Sequence, residues 1–92
     1  MTKYLKFKME ITVKNNLCTI KSTFNTPFIR SIKTPEDENH AQKVMEEYAR
    51  RHCDRSVDNF PFNSNIETNI LITCYEITKK EWLDMMLALA ED

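Results

Sequence analysis

Tyr4-Leu5-Lys6-Phe7-Lys8-Met9-Glu10-Ile11-Thr12-Val13 decides the fold, because apolar and polar residues alternate there without a break over ten positions. Leu5, Phe7, Met9, Ile11 and Val13 share one face and Tyr4, Lys6, Lys8, Glu10 and Thr12 the other, which is the period of a half-buried β-strand. Lys14-Asn15-Asn16-Leu17 follows. Asn tolerates left-handed backbone better than most residues with a Cβ, so Asn15-Asn16 reads as a two-residue type I′ turn. Pairing about that turn sets Val13 opposite Cys18, Ile11 opposite Ile20, Met9 opposite Ser22 and Phe7 opposite Phe24. On the outside, Thr12 faces Thr19 and Glu10 faces Lys21. Both faces agree in one register, and favourable cross-strand pairs contribute a few tenths to about 1 kcal/mol each.

Outward from this hairpin, Asn25-Thr26-Pro27 reads as a strand break and Phe28 to Lys33 as a shorter third strand. Thr34-Pro35-Glu36-Asp37 starts a helix, with Thr34 as N-cap, Pro35 at the first helical position and acids at the positive end of the dipole. Ala41, Val44, Met45, Tyr48, Ala49 and His52 form its apolar stripe. On the other side, Glu46 with Arg50 and Glu47 with Arg51 stand in the favourable i, i+4 order. Residues 53–65 read as a long connection in which Phe60-Pro61-Phe62 either caps the core or offers an aromatic anchor to a partner. Ile66 to Ile77 is expected to be a central strand, since Ile70-Leu71-Ile72 is apolar on both faces. Thr78-Lys79-Lys80-Glu81 is a capping box, with Ile77 and Trp82 as hydrophobic staple. The helix it opens, Trp82 to Ala90, is apolar around more than one side, which suggests a contact surface, including a homodimer through this C-terminal helix. The expectation is one α+β domain over 1–92, in the order β-β-β-α-β-α, with an antiparallel four-stranded sheet and two helices over one face.

Composition removes whole classes of chemistry. The 92 residues contain no glycine, where average usage would give about six. The Walker phosphate loop, the dinucleotide fingerprint and the hydrolase nucleophile elbow all need glycine for tight turns or close approach of backbone to ligand. Cys18, Cys53 and Cys74 are odd in number and lack C-x-x-C spacing, so neither a disulfide framework nor a zinc knuckle is indicated. A reducing compartment, the cytoplasm, fits best. The N-terminal residues have no apolar run of signal-peptide length, and no segment is long and apolar enough to span a membrane.

The net charge of -1 conceals a division. Residues 1–35 carry seven bases against Glu10 alone, for +6, while residues 36–92 carry six bases against thirteen acids, for -7. Such asymmetry points either to a polyanionic partner or to a basic sheet packed beside acidic helices of the same chain.

Catalytic candidates are few. His52 and Cys53 are neighbours in sequence at a helix end, where side chains point apart, and a nucleophilic pair needs the imidazole within hydrogen-bond reach of the thiol. His40 sits among acids, and the scattered His and Cys residues do not supply three or four convergent metal ligands. Paired carboxylates such as Glu36 with Asp37 and Glu46 with Glu47 read as solvated helix surface. The chain is therefore read as non-enzymatic, with no cofactor and no metal. A basic strand face with Tyr4 nearby is like the sheet platforms that use cations for phosphates and aromatics for bases, although no RNP-type aromatic motif is present. The candidate partner-binding residues are Lys3, Tyr4, Lys6, Lys8, Lys21, Arg30, Lys33, Arg55, Phe60 and Phe62.

The motif-free α/β chain with opposed charge patches, closing on Cys74-Tyr75-Glu76-Ile77-Thr78-Lys79-Lys80-Glu81-Trp82-Leu83, resembles the small anti-CRISPR proteins of bacteriophages and other mobile elements. These share no common motif, so no residue role carries over. The resemblance implies a non-enzymatic inhibitor in the host bacterial cytoplasm that occludes a surface of a Cas effector complex, a ribonucleoprotein, and blocks its target DNA binding. Contact with guide RNA is part of that expectation. The alternatives are a small nucleic-acid-binding regulatory protein and a homodimeric scaffold.

Overall fold

The computed structural model describes residues 2–61 and 65–90. Its elements are β1 (Tyr4–Lys14), β2 (Thr19–Pro27), α1 (Pro35–Asp58), β3 (Glu67–Ile77) and α2 (Lys79–Ala90). The fold is α+β, but the sheet has three antiparallel strands in the order β2-β1-β3, not four. The alternating strand read first from sequence is the centre of the molecule. Leu5, Phe7, Met9, Ile11 and Val13 are each at most 2% exposed, and burying such side chains contributes roughly 1.5–3 kcal/mol apiece.

The expected third strand does not form a strand of its own. With β1 paired to β2 on one side and to β3 on the other, residues 28–33 continue along the β2 side of β1, past the end of β2. They do so in two touches. Phe28 N–H donates to the Leu5 carbonyl at 2.9 Å, and Ile32 and Lys3 exchange both backbone bonds at 2.8 Å. Between them the chain bows out and leaves Ile29 63% exposed, while Phe28 and Ile32 enter the core. The strand break expected at Asn25-Thr26-Pro27 is also displaced: β2 runs to Pro27. Pro27 fits there because it lies on an edge strand, where an N–H can be missing without breaking the ladder.

The hairpin register differs from the expected one by two residues. Val13 faces Ile20, Ile11 faces Ser22, Met9 faces Phe24, Phe7 faces Thr26, and Thr12 faces Lys21. A type I′ turn needs positive φ at both central residues, and Asn15 and Asn16 do not adopt it; among the described residues only Asn65, at φ 57°, does. Instead Asn15 Oδ1 accepts from Leu17 N–H and Cys18 N–H at 2.8 and 2.9 Å, and Asn15 N–H donates to the Cys18 carbonyl. The turn centre thereby moves one residue on, to Asn16-Leu17. Moving the centre by one moves the register by two, so every side chain keeps its face.

Helix α1 starts as expected, with Thr34 as N-cap in a capping box. Thr34 Oγ1 accepts from Asp37 N–H, and Asp37 Oδ2 accepts from the Lys33 and Thr34 N–H groups. It runs through Asp58 and absorbs the first half of what read as a loop. Its buried line is Ala41, Met45, Ala49 and Cys53, a strict four-residue step that packs on the inner face of β1 and β3. Val44 and Tyr48 of the expected stripe are partly exposed, and His52 is half-buried with its ring 4.9 Å from Phe24. Two small residues on the buried line let the helix approach the sheet closely.

Strand β3 is an edge, not the centre. Ile70 and Ile72 turn half-buried toward α1, and Leu71 on the other face is 54% exposed. A run apolar on both faces therefore does not by itself mark a central strand; β1, with strict alternation, is the one that both neighbours flank. Helix α2 starts at Thr78, whose Oγ1 accepts from Glu81 N–H. It contacts β1 and β2 instead of lying beside α1 over β1 and β3, so the expected pair of helices over one face is replaced by α1 alone. The result is flat, with Cα extents of 48 × 29 × 16 Å.

Candidate interaction surface

The side of the sheet opposite α1 carries, from β1, Tyr4, Lys6, Lys8, Glu10, Thr12 and Lys14. Strand β2 adds Lys21 opposite Thr12, and β3 adds Tyr75 opposite Lys6, Thr73 opposite Lys8 and Leu71 opposite Glu10. Four lysines thus share this face with Glu10 and Glu67. Their charges are unevenly occupied. Lys8 Nζ lies 3.2 Å from Glu10 and Lys14 Nζ 3.8 Å from Glu67, whereas Lys6 Nζ sits 5.4 Å from the Tyr75 ring centroid, a cation–π geometry. Among the described residues, no ion pair engages Lys6 or Lys21.

At one end of the face, Tyr4 is not free to meet a partner alone. Its ring lies 5.0 Å from that of Trp82, whose Nε1–H donates to the Phe28 carbonyl at 2.6 Å. This contact fastens α2, no residue of which is buried. Trp82, Met85 and Met86 are half-buried, whereas Leu83, Leu87 and Leu89 are exposed.

The other sequence candidates scatter. Lys3 pairs with Glu38 at 3.9 Å, and Lys33 lies beside Asp37, whose carboxyl is held below its ordinary value first by the Lys33 N–H bond. These contacts join the basic first third of the chain to the acidic helix, so part of the charge division is internal complementarity. Arg30 is exposed on the bowed segment, and Arg55 is exposed near the end of α1, about 27 Å along the helix axis from Asp37. Phe60 is buried at 4% exposure and caps the core, which removes it as an anchor. Phe62 lies outside the described residues. Tyr4, Lys6, Lys8 and Lys21 share one face, with Lys6 and Lys8 adjacent and Lys21, opposite Thr12, about 20 Å along the strand from Lys6.

Two features were missed. Tyr75 and Leu71 belong to the basic face, and the period of Glu67 to Ile77 would have placed them there once β3 was set beside β1. The second is an open groove of about 460 Å³ lined by Pro27, Phe28, Ile29, Val44, Tyr48 and Leu89, with Arg30 and His40 at its margin. Ile29 is its most exposed apolar residue, and nothing in the strand pattern of 28–33 signalled that it would be displaced outward.

Nucleophile geometry is not assembled: Cys53 is in the core and His52 rests against Phe24. The Cys74 thiol is pushed above its ordinary value by burial and then by the Glu38 carboxylate. Among the described residues, no group of three or more His, Cys, Asp or Glu converges to hold a metal ion, and no helix is long and apolar enough to cross a membrane. No known protein family, no characterised protein and no solved structure matches this chain.

Proposed function

We propose that the protein is a non-enzymatic inhibitor that binds a bacterial Cas effector complex through the outer face of its sheet and blocks target DNA binding. The observation that carries this reading is the row of Lys6, Lys8 and, further along the strand, Lys21 with Tyr75 beside Lys6, all on the one face that α1 leaves bare. Such a face offers cations for phosphates and an aromatic ring for stacking or cation–π contact. A ribonucleoprotein presents both guide-RNA backbone and protein surface, and Leu71 beside the lysines adds an apolar contact for the latter.

The test is binding to guide-loaded effector complexes across a salt series. Two or three phosphate contacts on single-stranded RNA give a log–log slope of roughly -1.4 to -2.1, so affinity falls about 7- to 20-fold between 50 and 200 mM salt. Absence of retention by any RNA-guided complex from a plausible host sinks the reading. The Lys6–Tyr75 pair also favours a second one, a small nucleic-acid-binding regulatory protein acting alone, which predicts equal affinity for free RNA and for the loaded complex.

A further inference from the structure

Backbone hydrogen bonds fix which way each strand residue points its polar groups. Leu5 accepts from Phe28, and Lys3 exchanges bonds with Ile32, on the β2 side. Odd-numbered residues of β1 therefore face β2 and even-numbered ones face β3. In the β1–β3 register, Tyr4, Lys6, Lys8, Glu10, Thr12 and Lys14 meet Ile77, Tyr75, Thr73, Leu71, Asn69 and Glu67. The odd residues of β3 are thus satisfied by β1. The N–H and C=O groups of Thr68, Ile70, Ile72, Cys74 and Glu76 point to the open edge, and among the described residues no other backbone segment bonds to them.

This edge lacks the devices that normally blunt one. Glu67–Ile77 contains no Pro and no Lys and pairs with β1 without a bulge over all eleven residues, whereas the opposite edge strand carries Lys21 and Pro27. It also carries exposed apolar side chains on one face, Leu71 and Tyr75, and half-buried Ile70 and Ile72 on the other.

We propose that a second copy of the chain pairs its β3 antiparallel with this edge about a two-fold axis at Ile72, extending the sheet to six strands. In that register Ile72 meets its own counterpart, Ile70 meets Cys74, Thr68 meets Glu76, Leu71 meets Thr73 and Asn69 meets Tyr75. All five outward-facing residues are paired. No like charges stand opposite, because Glu67 faces Ile77 and Glu76 faces Thr68. The axis closes the assembly at two, with the Pro27-bearing strands left outside. An edge of about 36 Å gives an interface at the small end of the known range, so the association is weak and is sought at about 100 µM and above.

The experiment is sedimentation equilibrium over a concentration series of the protein itself, with the expected mass rising from 10.9 kDa toward twice that. Ile72→Pro removes an N–H that no backbone bond uses among the described residues, and Leu71→Lys alters an exposed side chain; each, checked as folded by circular dichroism, is expected to abolish the rise. Under oxidation in a Cys74→Ser background, Ile72→Cys is expected to form a covalent dimer, since facing Cα atoms in a hydrogen-bonded pair lie near 5.5 Å. Thr68→Cys, eight residues from its own counterpart, is expected to stay monomeric. A constant monomer mass overturns the proposal, and so does a dimer that survives both edge variants but is lost on Leu87→Asp, which would place the contact on α2.

Discussion

Trp82→Ala is expected to release α2 while leaving the sheet standing. The helix has no fully buried residue, and its two specific contacts both belong to one side chain: the Trp82–Tyr4 ring contact at 5.0 Å and the Nε1–H to Phe28 carbonyl bond at 2.6 Å, beside half-buried Met85 and Met86. Truncating a fully buried aromatic costs about 3–5 kcal/mol; Trp82 is half-buried, which scales that to about 2 kcal/mol. Trp82→Phe keeps a ring against Tyr4 and loses only the hydrogen bond, about 1 kcal/mol. At about 4–8 °C per kcal/mol for a domain of this size, the melting midpoint falls by roughly 8–16 °C for Ala and half as much for Phe. Amide hydrogen exchange separates local from global loss. Protection of residues 82–90 should collapse in the Ala variant, while the amides of Phe7, Met9 and Ile11 keep protection set by global stability. Unchanged exchange in α2 refutes this account of its docking, and so does a loss that requires two copies and disappears on dilution.

Further expectations concern other elements. Asp37 accepts two N–H groups at the start of α1, and its depressed carboxyl stabilises the fold above the ordinary value of 3.8 and ceases to do so as pH falls through the lower folded value. Asp37→Asn should therefore lower the melting midpoint at pH 7, with the difference from the parent vanishing in strong acid; a constant difference across pH contradicts the assignment. Cys74 should alkylate with an apparent midpoint above its ordinary 9.0, and Glu38→Gln should lower that midpoint without restoring it, because burial is the larger cause. Met9→Ala, in the middle of the fully buried row, should cost about 2–5 kcal/mol in urea unfolding. Asn65→Ala should cost about 1 kcal/mol at its positive φ, and Asn65→Gly much less.

Legibility of the fold followed how local each determinant was. The alternation of Tyr4 to Val13, the Thr34 cap with Pro35, and the Thr78 cap rest on neighbours in sequence, and they stand in the structure where the residues put them. Strand count did not, because Phe28 to Lys33 has strand-like residues but touches the edge of β1 only at Leu5 and Lys3, as a continuation of β2 and not as a strand with a place of its own, a fact of the whole sheet. The placement of β3 failed for the same reason: Ile70-Leu71-Ile72 is compatible with centre or edge until its neighbours are known. The turn shifted because Asn15 could satisfy two N–H groups with its side chain and so avoid left-handed backbone. The absence of glycine is thus met by Asn side-chain bonding at Asn15 and positive φ at Asn65. The candidate face was half visible. Lys6, Lys8 and Lys21 followed from strand period alone, and the even shift of register kept them there. Tyr75 and Leu71 needed the partner of β1, and the groove at Ile29 needed the outward bow. Arg30 and Lys33 are candidates by charge, which says nothing about position, and Arg55 by its place in the expected 53–65 loop, the first half of which is helix.

Retention on immobilised, guide-loaded effector complexes, compared for the parent protein and the Lys6→Glu/Lys8→Glu/Lys21→Glu variant, tests the central claim most directly. The account predicts that the parent is retained and prevents target DNA binding, and that the variant, still folded by circular dichroism, loses at least tenfold in affinity. Equal retention of parent and variant, or retention of neither, contradicts it.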